Sequence, residues 1–95
     1  MSDEYVISAT GLTKEHFAAA VAALQREAPS AQLVADASGM WIPSSTPGWI
    51  DFSLGFNERG IEIVSNLARQ PGRRLIDIVM TALEQQGLQV EIEEI

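Results

Sequence analysis

The middle of the chain alternates between apolar and polar residues over two segments, residues 49–56 and 61–67, separated by one turn signal. The alternating apolar residues of the first segment are Ile50, Phe52, Leu54 and Phe56. Asn57-Glu58-Arg59-Gly60 is predicted to form a four-residue hairpin loop, with Gly60 at a positive φ. Because successive strand side chains point to opposite faces, the pattern predicts an antiparallel hairpin with one buried face.

Two segments with helical spacing flank this hairpin. The first is predicted to run from the N-cap Thr13 to about Ala28, where Pro29 ends it. The second is predicted to have Pro71 at its first position and to stop at Gly87. The predicted buried stripes are Phe17, Ala20, Val21, Leu24 and Ala28 in the first helix, and Leu75, Ile78, Val79, Ala82 and Leu83 in the second.

Further strands are predicted on both sides of the helices. They cover residues 4–10, 31–37, 40–42 and 88–94. The order is strand, helix, strand meander, helix, strand, and it resembles the β-α-β-β-α-β order of ferredoxin-like domains. We therefore expect a single α+β domain over residues 1–95, with two helices on one face of an antiparallel sheet of four to five strands.

Composition excludes several classes of site. The chain has no cysteine, so it offers no disulfide, no cysteine-based zinc site and no catalytic thiol, and its one histidine leaves no histidine-rich metal site. A formal net charge of −7 argues against direct binding to nucleic acid or to an anionic membrane. The N-terminal residues do not resemble a signal peptide, and we expect a soluble cytoplasmic protein, bacterial or phage-encoded, without a cofactor.

Two tryptophans bracket a loop rich in proline and serine. Trp41 and Trp49 stand on either side of residues 42–48. Trp49 is predicted on the face of the sheet that the helices leave open, and Trp41 on the side of its strand opposite Met40 and Ile42. Tryptophan is enriched in the hot spots of protein interfaces. The alternative is that both side chains cap the edge of the core and pack on the loop prolines.

The carboxylates are distributed unevenly. Asp51 and Glu62 are predicted on the open side of the sheet, and the terminal strands carry Asp3, Glu4, Glu91, Glu93 and Glu94. One interpretation is solubility and protection of the sheet edge. The other is an acidic surface that attracts a basic protein partner.

Half of the basic residues gather near the start of the second helix. Arg69, Arg73 and Arg74 lie within six positions of one another. Together with free helix amides they could hold a phosphate or carboxylate. Alternatively, Arg73 pairs with Asp77, or the cluster pairs with acids of the last strand.

No catalytic constellation is recognised. His16 lies in the first turn of the first helix, and no triad pattern surrounds it. We therefore expect a non-enzymatic protein-binding module, of the inhibitor or immunity type, that masks a basic surface of its target. Homodimerisation through the open face is also expected to be possible. The alternative is a small-anion sensor or a small ferredoxin-like enzyme that uses the arginine cluster.

Overall fold

The computed structural model describes residues 2–34 and 36–95, in which six strands and two helices are present. They are β1 (Asp3–Ala9), α1 (Lys14–Glu27), β2 (Gln32–Leu33), β3 (Gly39–Pro43), β4 (Ile50–Asn57), β5 (Gly60–Ser65), α2 (Arg69–Glu84) and β6 (Val90–Glu94). Neither helix of this described part has the length and apolar character needed to cross a membrane.

The strands form one antiparallel sheet in the order β2-β3-β4-β5-β1-β6. The expected α+β class is confirmed, and the terminal strands β1 and β6 are neighbours. The strands β4, β5, β1 and β6 keep the roughly ferredoxin-like order, and β2 and β3 extend the sheet beyond β4. The expected count of four to five strands is wrong, because both short segments before β4 pair into the sheet.

Both helices cover one face of the sheet and enclose the core. The fully buried side chains include Ile7, Phe52, Ile61 and Ile63 from the strands, with Phe17, Leu24, Ile76, Val79 and Leu83 from the helices. The rings of Phe17 on α1 and Phe56 on β4 stack with centroids 5.6 Å apart. Burial of these alternate positions leaves the intervening side chains on the opposite face.

The β4–β5 connection is tighter than expected. Asn57 pairs with Gly60, so the loop contains two residues and not four. The Arg59 amide donates to Oδ1 of Asn57 over 2.8 Å, which stabilises the tight turn. Gly60 has the predicted positive φ, at 120°.

Helix α2 begins two residues before the predicted start. The Gly72 amide donates to the Ala68 carbonyl over 3.0 Å, which makes Arg69 the first helical residue. Pro71 is then the third residue, where a backbone N–H has no partner within the helix in any case. The buried stripe also differs from the predicted one, because Ile76 is fully buried and Leu75 is only partly buried.

The strand predicted over residues 31–37 is much shorter in the structure. Gln32–Leu33 forms β2, the Val34 amide donates one further bond to the Gly39 carbonyl of β3, and Ala35 lies outside the described residues. Oδ1 of Asp36 accepts from the amide and the hydroxyl of Ser38, at 3.0 and 2.6 Å. This side-chain turn replaces ladder pairing and ends the strand early.

Candidate functional site

The sheet face turned away from the helices is called the open face. Strand alternation and cross-strand register assign its members. They include Gln32 of β2, Gly39 and Trp41 of β3, Asp51, Ser53 and Gly55 of β4, Glu62 and Val64 of β5, Glu4, Val6 and Ser8 of β1, and Glu91 and Glu93 of β6. The charged side chains in this set are all carboxylates. The guanidinium of Arg59, from the β4–β5 turn, reaches the same face, where it contacts Glu62 and lines a small pocket with Val6 and Glu93.

Val6 lies among three of these carboxylates. It is directly opposite Glu62 on β5 and directly opposite Glu93 on β6, and Glu4 precedes it by two positions on the same face. Side chains directly opposite each other have Cβ atoms about 5 Å apart. The half-buried Val6 therefore offers an apolar surface with negative charge on three sides. A lysine or arginine fits such a place, because its stem packs on apolar surface while its cation meets carboxylates.

Trp41 extends the apolar part of the open face. It lies opposite Ser53, and Ser53 lies opposite Val64 on β5. The neighbouring pair on the same face is Gly39 and Gly55, which have no side chains to cover the indole. Trp41 is therefore half-buried and remains accessible from solvent.

Trp49 is presented by a well-defined turn. Its amide donates to the Thr46 carbonyl over 3.2 Å, and Gly48 has a φ of 85°. Proline followed by glycine at the centre of the turn, with positive φ at the glycine, is the signature of type II. The Trp49 side chain is 66% exposed. The register between β3 and β4 shifts between Ile42 and Pro43, so the alternation of β4 does not extend to Trp49, which lies in the turn just before the strand.

The structure places Asp51 and Glu62 on the open face but does not bring them together. Asp51 accepts, through its carbonyl, from the amide of Asn66, which is four positions along the chain from Glu62. Glu62 is held by Arg59 of the hairpin turn, over 3.2 Å. The exposure of both partners makes this ion pair weak, at about 1 kcal/mol or less. The Glu62 carboxylate is therefore held only weakly by Arg59.

The three arginines near the start of α2 each pair with a carboxylate. Arg69 contacts Glu94 of β6 at 3.2 Å, as one alternative expected. Arg73 contacts Asp77 one helical turn later at 3.2 Å, also as expected. Arg74 contacts Glu27 of α1 at 3.1 Å, a pair that depends on helix packing.

A groove lies between the outer surfaces of the two helices, and two of these three arginines line it. Arg73 and Arg74 line the groove together with Arg26 of α1, and Arg69 does not. The apolar residues that line the same groove include Ala23, Ile78 and Ala82. Arg26 could not be assigned to this cluster from sequence, since it lies far along the chain and joins the others only when the helices pack.

His16 has a structural position at the start of α1. The Thr13 amide donates to Nδ1 of His16 over 3.0 Å, and the His16 amide donates to the Thr13 hydroxyl over 3.4 Å. This reciprocal arrangement is a capping box in which histidine occupies the position usual for glutamate or glutamine. The spacing of Thr13 and His16 carries that signal in the sequence.

Two exposed carboxylates have lowered pKa values. The hydrogen bonds from the hydroxyl and amide of Ser38 lower the pKa of Asp36. Hydrogen bonding from its own backbone, and then from the Thr13 side chain, lowers the pKa of Glu15. Both groups stabilise local turns away from the open face.

Within residues 2–34 and 36–95, no three histidine, aspartate or glutamate side chains gather in a way that could hold a metal ion. In comparisons with protein families, curated proteins and solved structures, the chain matches none. Any functional argument therefore depends on the surfaces of this chain alone.

Proposed function

We propose that this chain is a cytoplasmic, non-enzymatic protein-binding module, whose open face covers a basic surface of a target protein. The mode of action is that of an inhibitor or immunity-type protein, in which occupation of the target surface is itself the activity. Trp41 and Trp49 supply contact area, and Asp51 and Glu62 supply negative charge.

The observation that carries this proposal is the composition of the open face. Val64 and Val6 are diagonal neighbours on this face, Trp41 lies beyond Ser53 in the same row as Val64, and the charged open-face side chains of these strands are carboxylates. Interfaces combine apolar and aromatic anchors with a polar rim. Acidic rims attract basic partners over a distance and raise the association rate at low salt.

The test is affinity capture from bacterial lysate, followed by measurement of Kd with the captured protein after purification. The open-face variant is the double charge reversal Asp51→Lys and Glu62→Lys. The matched control reverses Glu15 and Glu84, exposed carboxylates at the ends of α1 and α2 that take part in none of the four described ion pairs. Both variants change the net charge equally, so that only the location of the charge differs.

We expect the open-face reversal to weaken binding by at least about tenfold, or 1.4 kcal/mol, and the helix-end reversal to have a much smaller effect. Affinity of the original chain should also fall as salt rises from about 0.01 to about 1 M, since the Debye length falls from about 30 to about 3 Å. Equal effects of the two reversals, or binding indifferent to salt, would count against the proposal.

Homodimerisation through the open face is a competing use of the same surface. A two-fold axis near Val6 would bring Glu4, Glu62 and Glu93 of one copy towards the same carboxylates of the other. Like charges facing each other across strands are destabilising. A basic partner therefore fits the charge of this face better than a second copy does. Sedimentation at low protein concentration shows whether the chain is a monomer or a homodimer.

As a second candidate, we propose that the interhelical groove binds a small anion with an apolar body. The supporting observation is that Arg26, Arg73 and Arg74 share one groove with Ile78 and Ala82. A ligand must compete with the carboxylates that already hold Arg73 and Arg74. A thermal-shift screen of phosphates and carboxylates tests this, because ligand binding raises Tm, and the rise should disappear in Arg26→Ala with Arg73→Ala.

A further inference from the structure

The outer edge of β6 is an exposed strand edge. Among the described residues, β6 is the last strand of the sheet and pairs only with β1. The Ile95 amide donates to the Glu4 carbonyl over 2.8 Å. This bond establishes which alternate residues of β6 are hydrogen-bonded to β1. Because antiparallel bonding alternates along a strand, Glu91 and Glu93 bond to β1, and the backbone groups of Val90, Ile92 and Glu94 face outward.

The two edges of the sheet differ in length. β2, at the opposite edge, has two residues, whereas β6 has five. Short edge strands are one means by which proteins avoid pairing with other chains. β6 lacks that protection, and its outward groups can accept a further strand.

The side chains of β6 alternate between the two faces of the sheet. Glu91 and Glu93 lie on the open face and are exposed, while Val90 and Ile92 lie on the helix side and are partly buried. A strand added beside β6 would place its alternate side chains against these two sets. Lysine or arginine would then oppose the glutamates, and apolar residues would oppose Val90 and Ile92.

A second copy of the chain is a poor occupant of this edge. In every antiparallel register that pairs Ile92 with an outward-facing residue of a second β6, Glu91 or Glu93 faces Glu91 or Glu93 of that copy. Directly opposed like charges are destabilising. The charge pattern of the edge therefore disfavours self-pairing and favours a basic strand.

From this geometry we infer that β6 is a docking edge, at which a partner protein adds a strand of alternating basic and apolar residues. This inference rests on the proposed function, because it supplies the way in which the basic partner is held. Backbone bonds from the outward groups of β6 give the affinity, and the alternating side chains give the specificity. The basic side chains of the added strand would lie on the open face beside Glu91 and Glu93.

The experiment uses the full chain, labelled with ¹⁵N, and a blocked peptide of about six residues in which lysine alternates with valine. One control peptide has the same composition with its lysines clustered. A second keeps the alternation but carries N-methyl groups on the amides, which prevents strand pairing and retains the charge. Amide hydrogen exchange of β6 is the readout.

We expect the Ile92 amide, which faces solvent, to exchange at least about tenfold more slowly when the alternating peptide is bound. The Glu93 amide is already bonded to β1 and should change far less. The N-methylated peptide should give no such protection. This contrast separates strand addition from electrostatic attraction.

A proline at position 92 provides a variant of the protein itself. Ile92→Pro removes an N–H that makes no bond to β1, so it deletes an outward donor while it preserves the ladder. Ile92→Val keeps the donor and serves as the matched control. We expect the proline variant to bind the peptide at least about tenfold more weakly than the valine variant. If the proline variant does not fold, the N-methylated peptide still makes the same comparison.

The outcomes are distinguishable from those of the proposed function. If the peptide shifts the resonances of Trp49 and Val64 but leaves Ile92 unprotected, strand addition is wrong and binding to the open face stands. If the alternating peptide does not bind, or if β6 pairs with a second copy, the inference is overturned. Protection at Ile92 that disappears with N-methylation supports it.

Discussion

Ser65 of β5 and Gly72 of α2 approach so closely that any side chain at position 72 would require the Ser65 hydroxyl to move. A Cβ atom on residue 72 would lie 2.7 Å from Oγ of Ser65, but 3.7 Å from its Cβ. Ser65 is 2% exposed, and its hydroxyl has no hydrogen-bond partner within the described structure. The close approach thus brings α2 down onto the sheet at the end of β5.

This contact predicts that substitutions at the two positions have strongly non-additive effects on the free energy of unfolding. Gly72→Ala should lower the free energy of unfolding by about 1–3 kcal/mol, because the overlap outweighs the better helix propensity of alanine. Ser65→Ala should be neutral or stabilising, since it removes a buried hydroxyl without a partner. In the Ser65→Ala background, Gly72→Ala should lose most of its effect, because the remaining Cβ–Cβ distance is ordinary. A double-mutant cycle by urea denaturation measures this, and additive effects would contradict the interpretation.

Gly60 is required for a different reason. It has a φ of 120°, and a Cβ atom there would overlap the carbonyl oxygen of Ile7 on the neighbouring strand. We expect Gly60→Ala to lower the free energy of unfolding by more than about 3 kcal/mol. Gly48→Ala is the control, because Gly48 also has a positive φ but its Cβ would meet open space. Its cost should be about 1 kcal/mol, and similar thermal unfolding of the two variants would exclude the proposed overlap.

The fold could be predicted from sequence where the apolar residues follow a regular strand alternation or a regular helical spacing. The alternation of residues 50–56 and 61–65 determined both the hairpin and the face on which Asp51 and Glu62 lie. Helix α1 followed from the Thr13 cap and from the spacing of Phe17 and Leu24. In each case the local pattern and the burial required by the core agree.

The other features of the fold and of the site depend on contacts between residues that are distant in sequence, and a local sequence pattern does not predict such contacts. The start of α2 depends on the Ala68 carbonyl and on the approach of Gly72 to Ser65, and the sequence signal at Pro71 pointed two residues later. The carboxylates around Val6 become neighbours only through the strand order β5-β1-β6. Alternation in the sequence predicts the face of the sheet on which each residue lies. It does not predict which strands are neighbours in the sheet.

His16 is predicted to stabilise α1 through the capping box. His16→Ala should lower the free energy of unfolding by about 0.5–1 kcal/mol, because the Thr13 amide loses its acceptor. His16→Gln should retain most of the stability, since a glutamine side chain can accept the same bond. Thermal unfolding of the two variants at one pH makes the comparison. Equal losses would show that the Nδ1 contact does not contribute.

The Asp36 turn predicts a specific dependence on pH. Since the hydrogen bonds from Ser38 lower the pKa of Asp36 in the folded chain, the ionised form is the one they stabilise. The contribution is therefore complete above the pKa of the unfolded chain and is lost as the pH falls through the lowered folded value. NMR titration of the Asp36 carboxyl carbon should give a lower pKa in the original chain than in Ser38→Ala. An unchanged titration would mean that Ser38 does not hold the carboxylate.

Trp49 is predicted to matter for binding and not for folding. Because its side chain is 66% exposed, Trp49→Ala should change the free energy of unfolding by less than about 1 kcal/mol. Phe52→Ala, at a position with 0% exposure, should cost about 3–5 kcal/mol. Binding of the basic partner should weaken by at least about tenfold in Trp49→Ala, because exposed tryptophans act as interface anchors. A Trp49→Ala variant with normal stability and unchanged partner affinity would remove Trp49 from the proposed binding surface, and the contact would then have to centre on Trp41 and Val6.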